Sequence, residues 1–214
     1  MPLTFLRESM KDFKTTGAIA PSSRFLAQAM ARALPKPAAI RRGFRVLEVG
    51  PGTGAFTKAV VRHLKGQGRL DLYEISPRFA AHLEERIAND RCYEAMRRRI
   101  RVFKSDVREL PAKPSYNAIL SGLPLNNFTP EEVEGFFEHF RALLRPGGTL
   151  TYFEYLAIRE LQAPFRSRES RKRLKGVRDV VRGFIKRYEF QSRIVPLNVP
   201  PAVVHYLRFD AKTP

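Results

Sequence analysis

Cysteine is nearly absent: Cys92 is the only one, so no disulfide can form within the chain, which fits a reducing compartment. Long apolar runs are missing as well. No stretch approaches the ~20 residues that a bilayer-spanning helix needs. At the N-terminus, Arg7, Glu8, Lys11, Asp12 and Lys14 interrupt the region that a signal peptide would keep apolar. No internal repeat and no low-complexity segment is present. These absences exclude a disulfide-stapled secreted fold, a helical integral membrane protein and a solenoid. The expectation is a chain made in the cytoplasm that is soluble or peripheral, lying on the inner face of the cytoplasmic membrane. Acidic residues are also scarce. Twenty-one Asp and Glu face 39 Lys and Arg over 214 residues, a formal charge of +18. Such an excess points to a polyanionic partner, either nucleic acid or an anionic membrane surface.

Apolar periodicity separates the chain into elements. Leu3, Leu6, Met10 and Phe13 recur at helical spacing, with Arg7, Lys11 and Lys14 off that stripe, predicting a short basic amphipathic helix over 3–14. A second, alanine-rich helix is expected over 22–34, stopped by Pro35. Residues 1–35 read as N-terminal docking or lid helices and 36–214 as the main domain. From residue 44 short apolar strands are expected over 44–50, 70–75, 100–106, 116–123 and 149–156, alternating with helices. Ser76-Pro77 starts one of these helices. Thr129 caps another, with acids in its first turn. A turn is expected at 145–148. Such alternation implies a parallel sheet covered on both faces. Residues 166–187 read as a basic helix. Two last strands, joined through 198–201, are expected as an antiparallel pair. An α/β Rossmann-like sheet that ends in an antiparallel hairpin resembles the class I methyltransferase fold.

The stretch RVLEVGPGTGAFT (45–57) carries the first chemical signal. Gly50, Gly52 and Gly54 let the backbone turn tightly and leave no Cβ in the way of a ligand. Gly50-x-Gly52-x-x-Ala55 also satisfies a loose dinucleotide fingerprint, with Glu74 near the distance expected for a ribose ligand, so the turn alone does not decide between ligands. Three acids do. Glu48 lies two residues before the first glycine, where a pyrophosphate would sit poorly and a cationic ligand would be attracted. Glu74 ends the second strand, where a carboxylate can accept both ribose hydroxyls. Asp106 follows the third strand, placed to accept from an adenine amino group, with the Val107 N–H beside it. S-adenosylmethionine (SAM) carries the ammonium, sulfonium, ribose and adenine that this set requires. No metal-ligand set is read.

The acceptor side is expected after the fourth strand, at Ser121-Gly122-Leu123-Pro124-Leu125-Asn126-Asn127-Phe128. Enzymes that methylate amino groups often place a polar residue, two prolines and an aromatic here. In this chain Ser121 takes the first place and Leu125 that of the aromatic. That departs from base-modifying enzymes, whose aromatic stacks on the ring, and suits an acceptor without a ring. Four segments, 15–31, 46–57, 121–128 and 197–209, together resemble the bacterial phospholipid N-methyltransferase family. The resemblance covers most of the chain. It implies transfer of methyl groups from SAM to the amine of phosphatidylethanolamine and its mono- and dimethyl derivatives, or in close relatives of ornithine lipid. The rRNA adenine methyltransferases are a more distant alternative, and a non-catalytic membrane-binding protein on the same scaffold is another.

The resemblance also implies a cofactor pocket of Thr16, Gly17, Ile19, Ser22, Glu48, Gly50, Gly52, Gly54, Glu74, Ile75, Asp106, Val107 and Ser121. Gly122, Leu123 and Asn126 would meet the substrate. Tyr155, His205 and Tyr206 are the polar groups on late strands that could reach an amine; each equally fits a structural role. Membrane docking would fall to Leu3, Phe5, Leu6, Arg7, Met10, Lys11, Phe13 and Lys14. A second cationic element contains Arg166, Arg168, Arg171, Lys172, Arg173, Lys175, Arg178, Arg182, Lys186 and Arg187 against only Glu169 and Asp179. Its densest part, 166–175, holds no aromatic to interleave with the cations, unlike an RNA reader. The expected partners are therefore an anionic membrane and an amino lipid, with neither nucleic acid nor an obligate protein partner called for.

Overall fold

The computed structural model describes residues 22–41, 43–156 and 168–209. The helix expected over 3–14, with Leu3, Phe5, Leu6, Arg7, Met10, Lys11, Phe13 and Lys14, lies outside the described residues. So do Thr16, Gly17 and Ile19, Arg166 and the side chain of Arg168.

In chain order the elements are α1 (Arg24–Ala31), β1 (Arg45–Val49), α2 (Ala55–Leu64), β2 (Arg69–Tyr73), α3 (Pro77–Asn89), β3 (Ile100–Phe103), β4 (Tyr116–Ser121), α4 (Pro130–Leu143), β5 (Leu144–Tyr155), α5 (Arg168–Tyr188), β6 (Glu189–Val195) and β7 (Ala202–Arg208). The strands form one sheet in the order β3-β2-β1-β4-β5-β7-β6. The first five run parallel, and β7 runs antiparallel between β5 and β6. This is the α/β class, with its terminal antiparallel hairpin, expected from the alternation of elements.

Helix starts follow local chemistry. The side chains of Ser23, Ser76 and Thr129 accept from the backbone N–H three residues on and so cap α1, α3 and α4. At α4 the Glu132 side chain also accepts from the Thr129 N–H, closing a capping box. One expectation fails locally. Residues 145–148 do not end the pairing of β5 but bulge within its span. The partner of Tyr116 is Leu144, while that of Ala118 is already Thr149. Pro146 has no N–H to donate and Gly147 takes a φ of 74°, so the extra residues loop out while the ladder resumes.

Strand side chains alternate between two cores. Val46, Leu70, Leu120 and Val204 pack with α1, α2 and α3 on one face. Leu47, Ile119, Leu150 and Leu207 pack with α4 and α5 on the other. Helix α1, from the N-terminal segment set apart above, buries Leu26 and Met30 fully in the first core. The Tyr206 hydroxyl donates to Ala29 O (2.8 Å), and the Ser23 N–H donates to Asn198 Oδ1 (2.9 Å), tying α1 to the last strands.

Candidate active site

The order of strands reverses between β1 and β4, and in open α/β sheets ligands bind outside the carboxyl ends of strands at such a point. Here the segments that follow β1 and β4 leave the sheet in close contact. The Gly122 N–H donates to Val49 O (2.8 Å) and the Gly50 N–H to Tyr73 O (2.9 Å). A Cβ on Gly122 would stand 2.6 Å from Gly50 O, so no side chain fits there.

A cavity of about 150 Å³ opens over these ends. Eight of the residues expected from the sequence share its wall: Gly50, Gly52, Glu74, Ile75, Asp106, Val107, Gly122 and Leu123. Glu74 holds the turn in shape, accepting from the Gly52 N–H on Oε2 (2.9 Å) and from the Ser76 N–H on Oε1 (2.8 Å). Burial raises its carboxyl above the ordinary range, with the N–H groups of Ser76, Gly52 and Ile75 pulling against it. Asp106 is engaged by Arg108, whose backbone N–H (2.9 Å) and guanidinium fork both reach its carboxylate. Half-burial pushes Asp106 up, but the Arg108 hydrogen bonds and charge outweigh it, and the carboxyl lies below its usual value. An adenine amino group must therefore share Asp106 with Arg108.

Glu48 does not reach the cavity. Val49 and Tyr73 line it, and the period of two along β1 sends Glu48 to the opposite face, beneath the glycine turn. There it is 0 % exposed, and neither carboxylate oxygen attains full hydrogen-bond geometry with a partner. Thr57 Oγ1 and the Tyr93 hydroxyl are buried near it, and they too fall short of full hydrogen-bond geometry with any of the described residues. Burial pushes the Glu48 carboxyl up to about 8; Thr57 pulls the other way, and Glu74 adds to the rise. A pH signature follows. The folded protein keeps Glu48 protonated until about pH 8, whereas the unfolded chain ionises it near 4.5. The folded state binds more protons in that window, so this group's stabilisation is complete below it and is lost as pH rises through it. Glu48→Gln removes the dependence. In urea unfolding, the stability of the variant relative to wild type should climb by several kcal/mol between pH 4.5 and 8. A difference that ignores pH would contradict a buried neutral carboxyl.

The remaining expected residues are dispersed. Gly54 is the N-cap of α2 and Ser121 is buried, its Oγ accepting from the Leu123 N–H (3.4 Å); neither is on the cavity wall. Asn126 sits in a single 3₁₀ turn, Leu125–Asn127, with its carbonyl held by Arg173 Nη1 (2.7 Å). The structure does not bring His205 or Tyr206 to the cavity. His205 Nδ1 lies 2.6 Å from Glu189 Oε1 and its ring stacks on Tyr152, while the Tyr206 hydroxyl is taken by α1 in the first core. Ser22 and Tyr155 are not on the cavity wall either: Tyr155, the last residue of β5, packs against the first core, its phenol raised by burial, with the Ser22 side chain lowering it. Several wall residues carry no sequence signal of their own: Tyr73, Phe79 and Phe136. They make the cavity mostly apolar, suited to a flat base, and Arg108 closes over Phe136 at 5.2 Å.

These features fit SAM: an apolar slot, a carboxylate beside a glycine turn with spare lone pairs for ribose, and a second carboxylate at the far wall. Residues 46–148 match the methyltransferase domain family. The chain belongs to the class I SAM-dependent methyltransferases. Over 151 residues, 68% of this chain and 73% of the relative, it is 30% identical to an ornithine lipid N-methyltransferase of Singulisphaera acidiphila. It is 34% identical over 134 residues to a demethylmenaquinone methyltransferase of Tropheryma whipplei, matching 63% of this chain but only 51% of that relative. Among solved structures, an O-methyltransferase from Bacillus cereus in complex with SAH matches 96% of this chain and 90% of its own with a TM-score of 0.65 at 15% identity.

Proposed function

We propose that the protein methylates the amine of a lipid head group while docked on an anionic membrane surface. The observation that carries this reading is the union of a cationic helix with the loop that forms the acceptor side of the cavity. Arg173 of α5 donates to Asn126 O and Phe128 O (2.7 and 2.8 Å), fixing the loop whose Gly122, Leu123 and Pro124 line the cavity. Arg173 thereby differs from the membrane-facing role expected for it. It lies four residues before Val177 and eight before Val181, on the buried stripe of α5. Its neighbours Arg171, Lys172 and Lys175 are exposed on the other faces. No helix among the described residues is long and apolar enough to cross a membrane, so contact would be peripheral.

Bound SAM supplies a methyl group carried on a positively charged sulfur. Glu74 would hold its ribose, and the wall of Ile75, Phe79 and Val107 its base. The backbone at Gly122 and Leu123 would set the amine in line. Much of the acceleration in such a transfer comes from this positioning. Tyr155, its phenol held above the ordinary range, stays protonated at neutral pH and suits a hydrogen-bond donor better than a base. The similarity to an ornithine lipid N-methyltransferase supports a lipid amine as acceptor. A nucleobase is less well served, because Leu125 stands where base-modifying enzymes carry an aromatic, and it is buried in the second core.

Methyl-labelled SAM incubated with vesicles holding phosphatidylethanolamine or ornithine lipid, and separately with RNA, should label an amino lipid. Mass spectrometry then counts the methyls added. Label in RNA alone would overturn the reading. Replacing Arg171, Lys172 and Lys175 together by Gln should weaken binding to anionic vesicles by about 100-fold, from roughly 1 kcal/mol per cation. SAM affinity should stay unchanged. Unaltered vesicle binding would remove α5 from the docking surface.

A further inference from the structure

The opposite end of the sheet carries a second concentration of charge that the methyltransferase site does not use. Six arginines, Arg45, Arg69, Arg98, Arg99, Arg101 and Arg145, line one hollow of about 880 Å³. They come together because the strands are parallel. Arg45 opens β1 and pairs in register with Arg69, which opens β2. Leu70 pairs with Ile100, so Arg99 stands level with Arg69. Three guanidinium-bearing positions thus lie side by side at the strand starts, roughly 4.8 Å apart along the sheet.

Several of these groups are held in place. Arg45 Nη2 donates to Asp71 Oδ2 (2.6 Å), and its guanidinium lies over the Tyr116 ring at 4.7 Å. Arg101 Nε donates to Asp71 Oδ1 (3.2 Å), and Arg145 Nη1 reaches Gly43 O and Asn117 Oδ1 (3.4 Å each). Asp71 is 1 % exposed and, among the described residues, is the acid that ion-pairs with this set. Its single charge leaves five of the six positive charges unbalanced. Arg69, Arg98, Arg99 and Arg101 are exposed.

We infer that this hollow binds a compact soluble polyphosphate. Arginine forks engage phosphate oxygens two at a time, and crowded like charges favour a ligand that carries several negative charges within a short span. The hollow is concave, unlike a bilayer surface. Among the described residues no aromatic lines it, so they offer no platform for stacking the bases of a single strand. The five residues of β1, at about 3.3 Å each, separate it from the SAM cavity by roughly 16 Å. The two sites can therefore be filled together, and this inference does not depend on the lipid reading.

Calorimetry with tripolyphosphate at low ionic strength tests it. The full chain should bind one equivalent, with the heat fading as salt rises. Arg69→Gln combined with Arg99→Gln should weaken binding at least about tenfold for each arginine removed. The Gln variant at Arg171, Lys172 and Lys175 should bind tripolyphosphate as wild type does. Because relief of repulsion should leave the ligand-free Arg69/Arg99 variant melting no lower than wild type, thermal unfolding checks that it folds. Arg145→Gln, measured in parallel, should weaken binding too. The inference is overturned by absence of binding, by orthophosphate binding as tightly, or by equal loss in the α5 variant. It is also overturned if the Arg69/Arg99 variant keeps tripolyphosphate affinity while losing RNA or anionic vesicles, either of which would identify a different partner.

Discussion

Glu74→Ala should bind SAM at least about 100-fold more weakly than wild type. Among the described residues, Glu74 is the only carboxylate that both touches the glycine turn and lines the cavity, accepting from the Gly52 and Ser76 N–H groups. Each of its oxygens keeps acceptor capacity for a ribose hydroxyl. Hydrogen bonds to a charged group contribute about 1.5–3 kcal/mol each, so losing two exceeds the roughly 2.7 kcal/mol of a hundredfold change. The turn also loses the group that orients Gly52. Glu74→Gln should fall between the two, since one acceptor oxygen remains. Equilibrium dialysis with labelled SAM measures the affinities, and unfolding in urea shows whether the fold is kept. Unchanged affinity in the alanine variant would remove ribose recognition from this residue.

Gly122→Ala should cost both stability and the cavity. The new methyl would meet Gly50 O at 2.6 Å and Val49 O at 3.4 Å, both backbone atoms of the central strand's end. Neither can swing away as a flexible side chain would. The ends of β1 and β4 must part, straining the bond from the Gly122 N–H to Val49 O. Overpacking of this kind costs about 1–3 kcal/mol. Because Gly50, Gly122 and Leu123 also shape the cavity, SAM affinity should fall with the urea midpoint. A variant as stable as wild type, with normal SAM binding, would mean that these ends are not in the contact described.

These two residues show what the sequence discloses. Glu74 was legible because a carboxylate at a strand end after a glycine turn has few other reasons to be there. Thr129 was legible because its cap is chemistry within four residues. Gly122 could be placed after β4, but its need to be glycine depends on Gly50, which is 72 positions away in the chain and adjacent only in the sheet. The spacing of Glu48 from the glycines suggests contact with the ligand. The face to which β1 turns it follows from the alternation with Val49, which is readable only once Val49 is known to line the cavity. From the sequence, Arg173 reads with the exposed cations because charge hides helical period. Its spacing from Val177 and Val181 was the available signal. His205 and Tyr206 were polar residues on a strand whose position beyond β5 could be expected, yet their partners, Glu189 and Ala29, come from other elements. The arginine hollow was invisible for the same reason. Its members spread from residue 45 to 145, and only the parallel register gathers them.

The most direct measurement is a calorimetric titration of the full chain with SAM, its demethylated product and a nicotinamide dinucleotide. The Glu74 and Asp106 carboxylates on the cavity wall, and the apolar slot they border, predict saturable binding of the first two at one site and none of the third. Uptake of the dinucleotide, with SAM and its product giving no heat, would contradict the account at its base.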